Sequence, residues 1–148
     1  MEQSAIAAGP VTLEVTRIFD APRERVFRAW SSAEELAQWF APSPLIKTVV
    51  PELELRVGGR YVVEMHHNDG NVSRVTGTYR EITPPEKLSF TWRWTQREFA
   101  ETLVSVYFRD LGSSTELRLV HELLPNAEER EKHNHGWNGC FESLTKFV

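Results

Sequence analysis

The spacing of hydrophobic residues changes along this chain, and that change constrains the fold more than any other feature. From Val49 to Leu124 apolar and polar residues alternate almost throughout, which is typical of strands with one buried face. Turn residues divide this stretch and predict strands at about 49–57, 60–67, 72–82, 86–95, 102–110 and 115–122. The segment from Val11 to Phe19 alternates in the same way and predicts a further strand. Because most connections are short, we expect antiparallel pairing.

Helical spacing interrupts the alternation after the first strand. Asp20 as an N-cap, with Pro22 in the first turn, predicts a short helix. Ser32 followed three residues later by Glu35 forms a capping-box pattern and predicts a second short helix. The strand before these helices must therefore find its sheet partners later in the chain.

Helical spacing returns at the end of the chain. Asn126 and Glu129 form another capping-box pattern, after which apolar residues recur every three or four positions and predict one long helix from about residue 127 to the end. A sheet with one long helix buries its apolar face under that helix. The sequence thus predicts an α+β fold with about seven antiparallel strands, two short helices after strand 1 and a long C-terminal helix.

Composition and charge exclude several classes of protein. The chain has 148 residues and a net charge of −4, which argues against nucleic-acid binding. Its one cysteine, Cys140, excludes an internal disulfide, and we expect a cytoplasmic protein. We find neither a secretory signal pattern nor an apolar run that approaches the roughly 20 residues of a membrane span. We expect residues 1–10 to be a flexible tail and residues 11–148 to be a single domain.

Aromatic residues give the best indication of a binding site. The chain has five Trp, three Tyr and eight Phe, and the alternation places many of them on the inner face of the sheet. Ligand pockets are mostly apolar with a few polar groups. For each residue alone, ordinary core packing is the alternative. We expect the ligand-binding residues to be Trp30, Trp39, Tyr61, Val63, Met65, Tyr79, Phe90, Trp92, Phe108, Leu119, His121, Trp137 and Cys140.

Residues that carry catalysis or bind metals are harder to find. His121 lies between apolar neighbours, where it either orients a ligand or transfers a proton, or is a hydrogen-bonded core residue. His133 and His135 point roughly 200° apart on a helix and cannot bind one ion together. We therefore predict no catalytic residues, no metal and no cofactor. Gly136 costs a helix about 1 kcal/mol relative to alanine, which indicates a close helix–sheet approach or space for a ligand.

Several ordered motifs resemble a known superfamily. They are the segments Thr16–Phe40, Gly58–Met65 ("GGRYVVEM"), Gly77–Trp94, Thr115–Leu124 and His133–Leu144 ("HNHGWNGCFESL"). Together they resemble the helix-grip, START-like SRPBCC superfamily. Within it, they are similar to the branch of the C-terminal domain of activators of heat-shock-protein-90 ATPase. The resemblance covers Val11 to Val148.

The resemblance implies a curved antiparallel sheet that grips the C-terminal helix, with a cavity between them. The leading hypothesis is non-catalytic binding of a small hydrophobic or amphipathic molecule, lipids included. One alternative is a chaperone-linked or stress-linked interaction module. Because about ten residues precede the first strand, we expect this chain to lack the chaperone-docking domain of the eukaryotic activators. Another alternative is a cyclase-like or dehydratase-like enzyme that uses His121. Exposed strand edges also predict a homodimer.

Overall fold

The computed structural model describes residues 10–148, so the predicted tail lies outside the described residues except for Pro10. Its strands are β1 (Val11–Phe19), β2 (Lys47–Leu53), β3 (Arg60–His66), β4 (Val72–Thr83), β5 (Lys87–Trp94), β6 (Thr102–Asp110) and β7 (Thr115–Leu124). Its helices are α1 (Arg23–Ser31), α2 (Ala33–Trp39) and α3 (Ala127–Phe147). The predicted α+β fold with two short helices after strand 1 is confirmed.

The strands form one antiparallel sheet in the order β1-β7-β6-β5-β4-β3-β2. As the sequence predicts, β1 pairs late in the chain, with Phe19 opposite Thr115 and Val11 opposite Leu124. The two short helices between β1 and β2 separate these consecutive strands, which become the two edges of the sheet. The other strands follow one another through short turns, because Gly70 and Gly112 adopt the positive φ angles that tight turns need.

The sheet is curved, and Gly77 marks a point of close approach within it. A Cβ at this position would lie 2.0 Å from the carbonyl oxygen of Thr91 and 2.6 Å from Cε2 of Tyr61. Any larger residue would push β4 away from β5, so the glycine lets the backbones and the Tyr61 ring come together. The glycine at position 77 therefore has a steric reason.

Helix α3 covers one side of the sheet and closes the core. Asn126 caps its start, since Asn126 Oδ1 accepts a hydrogen bond of 2.9 Å from the backbone N–H of Glu129. The helix contacts β1, β7 and α2. It buries Phe141 edge-on against Phe19, with ring centroids 5.9 Å apart. Space remains on the side of α3 that faces β5, and this space becomes the candidate site.

Two local predictions need correction. The N-cap of α1 is Pro22 rather than Asp20, and no side chain caps this helix. The predicted strand at 49–57 is observed at Lys47–Leu53. It ends early because the following turn forms its own hydrogen bonds, from Arg56 N–H to Glu54 O (2.9 Å) and from Gly59 N–H to Arg56 O (2.7 Å). By contrast, the cap predicted at Ser32 is confirmed, with Ser32 Oγ accepting from Glu35 N–H at 3.3 Å.

None of the helices within residues 10–148 is both long enough and apolar enough to cross a lipid bilayer.

Candidate functional site

A cavity of about 260 Å³ lies between α3, β5 and the segment that follows α2. We call it the outer cavity. Aromatic rings form most of its inner wall, and basic side chains stand at its mouth. Its lining residues are Phe40, Pro42, Met65, Trp92, Trp94, Arg97, Lys132, His133, His135, Gly136, Trp137 and Cys140.

Two glycines one turn apart on α3 shape this cavity in opposite ways. A Cβ at Gly136 would meet nothing within 4 Å, so this position opens into the outer cavity. A Cβ at Gly139 would lie 2.2 Å from the carbonyl oxygen of Pro42, so this position lets the helix touch the segment after α2. Of the two explanations that the sequence allows for Gly136, space for a ligand matches the structure and close packing does not.

Charged groups at the mouth converge on Glu129, in the first turn of α3. Arg97 forms a short ion pair with Glu129 Oε2, and Lys132 Nζ lies 3.8 Å from the same oxygen. The other oxygen, Oε1, is buried without a hydrogen-bond partner and lies 3.8 Å from His133 Nδ1. The carboxylate therefore ties the loop after β5 to α3 at the edge of the outer cavity.

Two tryptophans determine the tautomers of the two buried histidines. The Trp94 indole N–H donates to His133 Nε2 at 3.0 Å, so Nδ1 of His133 carries the proton and donates to the Glu129 carbonyl at 2.7 Å. The Trp137 indole N–H donates to His121 Nδ1 at 3.1 Å, so Nε2 of His121 carries the proton and donates to Thr102 Oγ1 at 2.8 Å. Both imidazoles are neutral with both nitrogens occupied.

Burial lowers the pKa of both histidines. Loss of solvation holds the pKa of His121 well below its usual range, and the neighbouring His133 lowers it further. Burial also lowers the pKa of His133, although its bond to the Glu129 carbonyl opposes the shift. A histidine without a free lone pair does not serve as a general base in this arrangement. His121 is thus a hydrogen-bonded core residue.

A second, much smaller cavity of about 20 Å³ lies deeper between α1 and the sheet. We call it the inner cavity. Phe40 and Trp92 line both cavities and stand between them. The lining residues of the inner cavity are Trp30, Leu36, Phe40, Tyr61, Val63, Tyr79, Leu88, Phe90 and Trp92.

The predicted ligand-binding residues divide into three groups. The outer cavity contains Met65, Trp92, Trp137 and Cys140. The inner cavity contains Trp30, Tyr61, Val63, Tyr79 and Phe90, with Trp92 again. Four others lie in the buried core and line neither cavity: Trp39, Phe108, Leu119 and His121. For all of them, contact with a ligand remains a prediction.

Sequence reasoning did not identify most of the residues at the mouth of the outer cavity. Arg97 stands in a turn, and Lys132 and His135 belong to the helix face beside the predicted apolar stripe. His133 lies on that stripe, but sequence reasoning considered it only as a metal ligand. Trp94 continues the alternation that places Trp92 inside, and this pattern predicts an inward position for Trp94 as well. For Arg97 no local pattern exists, since its place depends on the path of the loop after β5.

Other reactive groups in the site are held neutral. Burial raises the pKa of the Cys140 thiol and of the Tyr79 hydroxyl. Burial also raises the pKa of Tyr61, whose hydroxyl donates to the Thr91 carbonyl at 2.5 Å. Across residues 10–148, the His, Cys, Asp and Glu side chains form no group of three that could hold a metal ion.

Comparison with protein families gives one match that spans most of the chain. A family model described as "Activator of Hsp90 ATPase homolog 1-like protein" matches residues 20–148. No curated protein matches the chain.

Solved structures show the same architecture. Protein CV1439 of Chromobacterium violaceum is 29% identical, with a TM-score of 0.85 over 93% of this chain and 96% of that chain. The AHSA1 protein of Silicibacter pomeroyi is 27% identical, with a TM-score of 0.81 over 92% of this chain and 96% of that chain. CalU16 of Micromonospora echinospora is 21% identical and similar in fold, with a TM-score of 0.70 over 92% of this chain and 74% of that chain.

Proposed function

Since this chain belongs to the Activator of Hsp90 ATPase homolog 1-like family, we propose that it binds a small apolar or amphipathic molecule in the outer cavity without transforming it. The observation that carries this proposal is the cavity itself, which has about 260 Å³ of space behind a wall of aromatic side chains. Small-molecule sites are typically clefts of this kind, lined mostly by apolar and aromatic side chains with a few polar groups. Unfilled apolar space of this size therefore favours a ligand.

The dimensions of the cavity favour a compact ligand. An engineered apolar cavity of about 150 Å³ binds benzene, so the outer cavity has room for one or two fused rings or a short acyl chain. Arg97, Lys132 and His135 at the mouth favour a ligand whose polar end faces solvent. A lipid with long acyl chains is a poorer match than a mono- or bicyclic compound.

Hydrogen bonding argues against a catalytic role for the buried histidine. His121 is fully buried, and both of its ring nitrogens are bonded within the fold. The cyclase or dehydratase alternative, which needs a free nitrogen at this position, gains no support. The predicted cytoplasmic location, stress-linked role and homodimer remain predictions.

A ligand panel tests the proposal directly. Mono- and bicyclic aromatics, flavonoids and short fatty acids are titrated while intrinsic tryptophan fluorescence is followed, and native mass spectrometry counts bound molecules. The blocking variant is Gly136→Leu, whose side chain enters the open space at that position. The control is Glu131→Leu, which adds the same side chain to an exposed position on α3. We expect the blocking variant to weaken binding roughly tenfold or more and the control to leave it unchanged. Equal affinity of both variants would refute the assignment.

A chaperone-linked role is a second candidate, and it is favoured by the family description that matches residues 20–148. The test measures the ATPase rate of Hsp90 with and without this chain, and also measures direct binding by sedimentation. An unchanged rate together with no co-sedimentation would reject this role. Ligand binding and chaperone binding are measured independently, so either result stands without the other.

A further inference from the structure

The five tryptophans differ in what their indole N–H groups bind. Three of them have acceptors within the fold. Trp39 donates to the Ala29 carbonyl at 2.8 Å, Trp94 donates to His133, and Trp137 donates to His121. The other two, Trp30 Nε1 and Trp92 Nε1, are buried without a hydrogen-bond partner.

The two unbonded indoles line the same small space. Trp30 is 3% exposed and Trp92 is 4% exposed, and both side chains are part of the wall of the inner cavity. A buried donor that leaves its hydrogen bond unmade costs free energy, and such groups are rare in native proteins. Two of them around one cavity indicate that an acceptor belongs there.

The chemistry of the wall restricts that acceptor. An indole N–H donates and does not accept, so the occupant must offer a lone pair. No charged side chain lines the inner cavity, and an unpaired charge is costly to bury, so the occupant is neutral. Its volume of about 20 Å³ holds roughly one water-sized atom. The Tyr61 hydroxyl already donates to Thr91, and the two indoles are the fully buried donors of this wall that have no partner.

Resting on the ligand-binding function proposed above, we propose that the inner cavity is a subsite for one neutral oxygen acceptor of the ligand, bound by the indole N–H groups of Trp30 and Trp92. A ketone, ester or amide carbonyl fits this description, whereas a carboxylate does not. The ring of the ligand occupies the outer cavity, and its carbonyl passes between Phe40 and Trp92, which line both cavities.

An isosteric pair of probes tests the subsite. 2-Acetylnaphthalene carries a carbonyl, and 2-isopropenylnaphthalene replaces that oxygen with a methylene group of nearly the same shape. Affinities of both are measured by native mass spectrometry and calorimetry for the wild-type chain and for Trp30→Phe and Trp92→Phe. The control is Trp39→Phe, because the Trp39 N–H already has an acceptor in the Ala29 carbonyl and its side chain lines neither cavity.

The quantity compared is the ratio of ketone affinity to hydrocarbon affinity. We expect each of the two substitutions to lower this ratio about three- to tenfold and the control to leave it unchanged. An equal ratio in the wild-type chain and both variants would overturn the subsite while leaving ligand binding intact. Failure of the wild-type chain to bind the ketone would overturn the subsite, whereas the ligand panel and the Gly136→Leu variant decide whether the outer cavity binds a ligand at all.

A measurement on the wild-type chain covers the case in which a variant does not fold. The five indole N–H groups give five signals in a ¹H–¹⁵N correlation spectrum, one per tryptophan. We expect the ketone to move the Trp30 and Trp92 signals downfield, as new hydrogen bonds do, and the hydrocarbon not to do so. Identical shifts with both probes would overturn the proposal.

Discussion

Alanine substitutions at Gly136 and Gly139 should change stability in opposite directions although the two residues are one turn apart on α3. Replacing a helical glycine with alanine stabilises the helix by about 1 kcal/mol, because the unfolded chain loses freedom. At Gly136 the new methyl group meets nothing within 4 Å, so the full gain is expected.

At Gly139 the same gain is opposed by a steric clash. The new Cβ would lie 2.2 Å from the Pro42 carbonyl oxygen and 2.9 Å from two further backbone atoms of Pro42. Overpacking of this kind costs typically about 1–3 kcal/mol, and the clash with rigid backbone places it at the upper end. Gly139→Ala should therefore lose about 2 kcal/mol, a difference of about 3 kcal/mol between the two variants.

Thermal and urea unfolding measure this difference. For a chain of this size 1 kcal/mol corresponds to about 2–4 °C in Tm. The Tm of Gly136→Ala should therefore rise by about 2–4 °C, and the Tm of Gly139→Ala should fall by about 4–8 °C. A loss at Gly136 as large as that at Gly139 would refute the open space on α3. A gain at both positions would refute the contact between α3 and Pro42.

Three further outcomes follow from the structure. The pKa values of His121 and His133 are lowered by burial, so the unfolded chain binds more protons. The contribution of these histidines to the free energy of unfolding should be fully present above about pH 6.5. Below that pH the free energy of unfolding should fall by up to about 1.4 kcal/mol per pH unit for each histidine. A free energy from urea unfolding that does not change between about pH 7.5 and pH 5.5 would contradict this. Leu123 has φ +69° and is 55% exposed, so Leu123→Asn should stabilise the fold by about 1 kcal/mol, and an unchanged or lower Tm would show that no strain is relieved. The hydroxyls of Ser89 and Ser105 are buried and lie 3.2 Å apart. Alanine at either serine should cost about 1–3 kcal/mol and alanine at both should cost less than the sum, and strict additivity in a double-mutant cycle would show that the hydroxyls do not interact.

Local patterns predicted the fold well because they report on neighbouring residues. Alternation through β3 to β7 reflects burial of one face, and the caps at Ser32 and Asn126 depend on residues only three positions away. The cap predicted at Asp20 is wrong because Pro22 begins α1 without a side-chain cap. The start of α1 thus followed from backbone geometry that a capping pattern does not describe.

The candidate site was harder to predict because it depends on how distant elements meet. Alternation identifies Trp92 as buried, but it does not tell whether the neighbouring space is filled. Phe108 and Leu119 have the same pattern and lie in solid core, whereas Met65 lines a cavity. The difference arises from where α3 contacts the sheet. For Gly136 the sequence offered open space as one of two explanations, the other being close packing.

The order of strands in the sheet has a consequence for how the chain acquires its structure. The first strand to be synthesised, β1, forms its hydrogen bonds with β7, about a hundred residues later along the chain. Pairing over such a distance closes a large loop, which slows folding. Until β7 emerges from the ribosome, β1 has no partner and its apolar residues, such as Val15 and Phe19, stay exposed. The core therefore closes only when the last strand and α3 arrive, and shorter nascent chains present an unpaired strand that is prone to aggregate.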